Sequence, residues 1–131
     1  MRIWNSWLIW VLVAVFWAPA MVQASTVNVR DAGIGTDVVD RVLQGNGDTF
    51  DASVGKLYAY TRIVGADEQT QVSHRWYYND HLMAEVTLPV RGDNWRTWSS
   101  KSVVPMWVGD WRVDVVSSDG SVIDSLPFKL Q

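Results

Sequence analysis

Apolar residues fall at every second position over much of this chain. Leu82, Ala84, Val86, Leu88 and Val90 point one way while Met83, Glu85, Thr87 and Pro89 point the other, which is the period of a half-buried strand. Lys56 to Val64 (KLYAYTRIV) is aromatic and β-branched and stops at Gly65, so it predicts a second strand. Between them, Gln71 to Tyr78 sets Val72, His74, Trp76 and Tyr78 against Gln71, Ser73, Arg75 and Tyr77. Further on, Trp111, Val113 and Val115 alternate with Arg112, Asp114 and Val116, and a last run gathers Leu126, Phe128 and Leu130 on one face. Pro89 and Pro127 cannot donate a ladder hydrogen bond and predict sheet edges. Turns follow at Asn79 and Asp80, at Arg91 to Asn94, and at Ser118 to Ser121, where Asp119 and Gly120 predict a type I′ bend.

The pattern is weaker nearer the N-terminus. Thr26 to Arg30 alternates as an opening edge strand. Asp31 to Gly55 then carries Gly33, Gly35, Gly45, Gly47 and Gly55 among aspartates, which reads as a long, loosely ordered connection with one short strand or helical turn around Val38 to Leu43. Gln44, Asn46 and Asp48 alternate like calcium ligands, but an acidic first position and a closing glutamate are lacking, so they read as a turn cluster. With no helical period after residue 24, about seven short strands predict an all-β fold, an immunoglobulin-like two-sheet antiparallel sandwich with Trp76 as its core tryptophan.

Residues 1–24 have another character. Arg2, an apolar run from Trp7 to Ala18, Pro19 and the small-residue pattern Val22, Gln23, Ala24 have the form of a secretory signal peptide. The run is short for a membrane span, which needs about 20 apolar residues, so no span is expected unless the leader stays uncleaved. The division is then 1–24 leader, 25–55 N-terminal strand and Gly/Asp-rich connection, and 56–131 the main part of one β-sandwich domain spanning 25–131. The chain has no cysteine, so neither a disulfide nor a cysteine-linked lipid anchor is available. The formal net charge of −3, one unit more negative once Arg2 leaves with the leader, argues against a nucleic-acid ligand.

Catalytic signatures are absent from the pattern. Of the two histidines, His74 shares the apolar face of its strand and reads as a buried, hydrogen-bonded residue, while His81 sits in a turn. The carboxylates fall mostly in turns. No catalytic residue, metal site or cofactor is expected. The chemistry gathers instead in WRTWSSK, Trp95 to Lys101. On a strand, Arg96, Trp98 and Ser100 share one face and Trp95, Thr97, Ser99 and Lys101 the other, so one tryptophan points outward. Arg75, Tyr77, Trp107 and Arg112 are expected on the same side as Trp98, completing a mixed aromatic and cationic patch of the type that anchors partners. The structural alternative has arginine stems covering core tryptophans.

Four segments in order, LYAYTRIVGA (Leu57 to Ala66), HRWYYND (His74 to Asp80), WRTWSSK (Trp95 to Lys101) and GDWRVDVVSSDG (Gly109 to Gly120), resemble the bacterial extracytoplasmic domain of unknown function number 2914, over Leu57 to Leu130. The resemblance implies an exported or membrane-attached protein and supplies no catalytic residues. The functional expectation is an exported, non-catalytic module, periplasmic or at the cell surface. It binds a protein partner of the cell envelope through Trp98, Arg96, Ser100, Tyr77, Arg75, Trp107 and Arg112. The alternatives are a carbohydrate or cell-wall glycan ligand on the same aromatics, and a hydrolase whose site the sequence does not display.

Overall fold

Alternation becomes a sandwich because each strand has one face to bury. The computed structural model describes residues 13–15, 17 and 27–131, so nearly all of the expected leader lies outside the described residues. Among the described residues ten strands are formed: β1 (Asn28–Gly35), β2 (Asp37–Val39), β3 (Val42–Gln44), β4 (Thr49–Phe50), β5 (Lys56–Val64), β6 (Thr70–Tyr78), β7 (His81–Val90), β8 (Asn94–Ser102), β9 (Gly109–Ser117) and β10 (Val122–Leu130), with a 3-10 turn at Pro105–Trp107. Strands β1, β5 and β8 make one antiparallel sheet, β4, β10, β9, β6 and β7 a second, and β2 with β3 a separate hairpin. No helix among the described residues is long and apolar enough to cross a membrane.

The fold is the expected all-β sandwich, and six of its seven long strands are those that alternation and β-rich composition mark, β1 being marked at its start alone. Leu57, Ala59 and Ile63 of β5 face Val72 and Trp76 of β6 and Val113 and Val115 of β9, and all of these are buried. Two apolar clusters result. One is built on Trp76, Trp111, Phe128 and Leu57, the other on Ile63, Val72, Val90 and Val115. Trp76 is fully buried, edge-on to Phe128.

Between the clusters runs a chain of buried polar groups. Trp76 Nε1 donates to Ser99 Oγ at 3.1 Å, Ser99 Oγ meets His74 Nδ1 at 2.8 Å, His74 Nε2 meets Thr61 Oγ1 at 3.1 Å, and Thr61 Oγ1 donates to the Thr97 carbonyl at 3.3 Å. Each hydroxyl has one proton to give. Every bond in the chain is satisfied when Ser99 donates to Nδ1 and His74 holds its proton on Nε2. Among the described residues no buried side-chain polar atom lacks a partner. His74 is thus buried and neutral, as its position on the apolar face predicts, and burial pushes its pKa down to about 4.

Several local expectations are corrected. The segment from Asp31 to Gly55 is ordered, not a loose connection, and the opening strand runs through to Gly35. Its glycines permit close approach. A Cβ on Gly35 would stand 2.3 Å from the Gln44 carbonyl oxygen, so the β2–β3 hairpin can lie against β1. Asp40 and Arg41 make the hairpin's turn with φ of 50° and 64°, the conformation of a type I′ bend. At Asp119 and Gly120 only Gly120 has positive φ, and Gly120 N donates to the Ser117 carbonyl, so that turn is a type I bend followed by a left-handed glycine. In β7 a register shift opposite Trp76 and Tyr77 breaks the alternation: Leu82 turns outward at 53% exposure while Met83 packs on the core. Pro89 lies on an edge strand as expected. Strand β10 is covered at its end by β4, which pairs with Lys129 and Leu130 only, so Pro127 disturbs no ladder on that side.

Candidate functional site

Pleating decides which side chains of β5 and β8 leave the core. Thr97 and Ser99 face inward and are buried, so Arg96, Trp98 and Ser100 face outward. Trp98 is the outward tryptophan, and Trp95 packs against the cluster around Ile63. Tyr60 lies directly across the ladder from Trp98. Their rings stack at 6.3 Å between centroids and 14° between planes. Trp98 is half-buried, and with Tyr60 it presents a near-parallel aromatic surface on this face.

The β2–β3 hairpin borders this platform. Tyr60 Oη donates to the Arg41 carbonyl at 3.2 Å, and a groove of about 330 Å3 runs among Asp31, Val42, Leu43, Asn46, Tyr60 and Arg96. A second groove, of about 400 Å3, is lined by Arg41, Pro89, Arg91, Trp95, Arg96 and Trp98 among others. Arg62 stands across from Arg96, donates from Nε to Asn94 Oδ1 at 2.8 Å and reaches Asp31 at 3.5 Å. Arg41 approaches the Trp95 ring at 5.8 Å. Arg41, Arg91 and Arg96 make no ion pair with any described carboxylate.

The expected patch is divided between two faces. Arg75 and Tyr77 on β6 and Arg112 on β9 lie on the outer face of the five-stranded sheet, where Tyr77 pairs with Arg112, on the opposite side of the sandwich from Trp98, Arg96 and Ser100. The reason is strand order: β6 and β9 are neighbours in one sheet while β8 pairs with β5 in the other. These residues are also mutually satisfied. Arg75 pairs with Glu85 at 3.3 Å, and Arg112 pairs with Asp80 and with Asp114 at 3.3 Å while lying 4.1 Å over the Tyr77 ring. Trp107 belongs to neither face. It packs on Trp111 beneath Lys101 Nζ, which lies 4.9 Å from its ring, and its carbonyl accepts from Trp111 Nε1.

Residues 69–130, which take in β6 to β10, match the model of the family described as protein of unknown function (DUF2914). Over these residues the chain is similar to that family. The matched residues, a little under half of the chain, include Arg91, Asn94, Arg96 and Trp98, whereas Arg41, Tyr60 and Arg62 and the segment Leu57 to Ala66 precede them. A comparison with curated proteins finds no match.

Sequence reading missed Arg41, Tyr60, Arg62 and Arg91 as neighbours of Trp98. Tyr60 and Arg62 alternate along β5 on its outer side, which is a usable signal. Arg41 had none, because its segment carries the composition of a loop. No group of three or more metal-binding side chains occurs among the described residues.

Proposed function

We propose that this chain is an exported, non-catalytic binding module, periplasmic or at the cell surface, that engages a protein partner through the outer face of the β1–β5–β8 sheet. Trp98 is the anchor and Arg96 its charged neighbour. The observation that carries the reading is the Trp98–Tyr60 stack bordered by Arg41, Arg91 and Arg96, which make no ion pair among the described residues. Stacked aromatic surface beside unpaired guanidinium is the composition of an interface anchor. Ser100 extends the same face. The pairing of Arg75 and Arg112 supports assigning them to the scaffold.

A glycan ligand is the second reading, favoured by the near-parallel stacking of Tyr60 and Trp98, which offers a flat apolar platform to a sugar ring. In-cell photo-crosslinking separates the two. A probe at Trp98 should yield a discrete protein adduct, identified by mass spectrometry, that a probe at Thr87 on the other sheet does not. A folded, exported protein giving no adduct at 98, with tryptophan emission responding to soluble cell-wall fragments, would replace the first reading with the second.

A further inference from the structure

At the Asn94 end of this face the groups that line the surface are almost all hydrogen-bond donors. A pocket of about 300 Å3 is lined by Arg41, Arg62, Arg96 and Asn94. The Asn94 side-chain oxygen already accepts from Arg62 Nε at 2.8 Å, which leaves its amide nitrogen free to donate. Arg62 is bound only loosely to Asp31, a carboxylate that is 63% exposed and 3.5 Å away. Among the described residues Arg96 has no ion pair, and the Arg41 guanidinium lies 5.8 Å from the Trp95 ring with no ion pair of its own. Three guanidinium groups around one pocket repel one another, and in a chain with net charge −3 their convergence with a single, exposed carboxylate, Asp31, in reach is a matter of placement, not of composition.

A pocket lined by donors and positive charge selects a group that only accepts and is negative. The planar guanidinium fork matches two oxygens of a carboxylate or phosphate, which a neutral hydroxyl cannot replace. We infer that the pocket of Arg41, Arg62, Arg96 and Asn94 binds an oxyanion, a carboxylate or phosphate group borne by the partner, while Trp98 and Tyr60 pack against the apolar part that carries it. The inference rests on the reading of this face as the binding surface and adds the chemistry that the partner presents. Arg91, on the adjoining groove with Trp98 and Arg96, extends the positive field to a neighbouring acidic group.

The test is a nuclear magnetic resonance titration of the full chain with inorganic phosphate and, separately, with a hexaglutamate peptide, following the arginine Nε–H signals and the Asn94 side-chain amide. Saturable shifts are expected at Arg41, Arg62, Arg96 and Asn94 and not at Arg75 or Arg112. Arg41→Gln and Arg96→Gln should each weaken binding about tenfold, the loss of one charge-assisted pair, and Arg112→Gln less than about twofold. Stronger binding of the peptide than of phosphate assigns the oxyanion to an acidic protein segment. Saturable binding of phosphate alone keeps the oxyanion pocket and assigns the oxyanion to a phosphate group in place of a carboxylate. Shifts from neither probe, or equal binding by the Arg41 and Arg96 variants, would overturn the inference; if the Trp98 adduct still formed, the wider reading would stand without it.

Discussion

The two outer faces of the sandwich carry the same residue types and use them differently. On the five-stranded sheet Arg75 and Arg112 are each tied to carboxylates, Glu85 in one case and Asp80 with Asp114 in the other, and the aromatic Tyr77 lies under the Arg112 guanidinium. On the three-stranded sheet Tyr60 and Trp98 stack on each other, Arg62 reaches the exposed Asp31 at 3.5 Å, and Arg96, with Arg41 and Arg91 from the bordering turns, makes no ion pair among the described residues. An arginine that has found its carboxylate inside the fold has little left to offer a ligand, whereas an unpaired one beside a stacked aromatic surface retains its full donor set. The contrast between faces, and not the presence of tryptophan and arginine as such, points to the binding side.

The comparison holds only if both faces stand on one scaffold, and the largest expected effect probes that scaffold. Ser99→Ala removes the partner of both Trp76 Nε1 and His74 Nδ1, two buried groups whose desolvation is then uncompensated. Urea denaturation should show a loss of about 3 kcal/mol, with both faces failing together. A change below about 1 kcal/mol would mean that the polar chain does not brace the sheets.

Acid should act through the same chain. The folded protein holds His74 neutral down to about pH 4, whereas in the unfolded chain a histidine takes its proton near pH 6.5. Between those values the unfolded state binds more protons, so stability falls as pH drops from about 6.5 to 4 and levels off below. The loss should total roughly 3 kcal/mol. Measured at several pH values, His74→Gln should lose most of that slope, and an unchanged slope would assign it to carboxylates instead.

Smaller effects sharpen the contrast itself. Arg112→Gln leaves the nearly buried Asp114 without its cation and should cost about 1 kcal/mol, with partner binding retained. Arg96→Gln breaks no internal pair and should change stability by less than about 0.5 kcal/mol, with partner binding lost. Equal costs in stability for the two variants would erase the distinction between a paired and an unpaired face.

Much of this was legible from residues alone, and what was not has physical causes. Alternation and β-rich composition marked six of the seven long strands and the start of the seventh, β1, placed Trp76 and His74 in the core, and put Arg96, Trp98 and Ser100 on one face of β8. Alternation says nothing about which strands share a sheet, so it could not separate Arg75, Tyr77 and Arg112 from Trp98. A one-residue register shift was equally invisible, and it sent Leu82 out and Met83 in. The β2–β3 hairpin was obscured because Gly33 and Gly35 read as chain breakers when they are points of close contact with Leu43 and Gln44. Arg41 was lost with it. One of the three arginines of the oxyanion pocket therefore comes from a segment whose composition looks unstructured.

The central claim is most directly tested by the yield of the Trp98 photo-adduct in two backgrounds, Arg96→Gln and Arg112→Gln, measured in cells at matched expression. The unpaired face being the binding face, the adduct should disappear or fall at least about tenfold with Arg96→Gln and persist with Arg112→Gln. An adduct that survives Arg96→Gln and is lost with Arg112→Gln would place the partner on the five-stranded sheet and contradict the account.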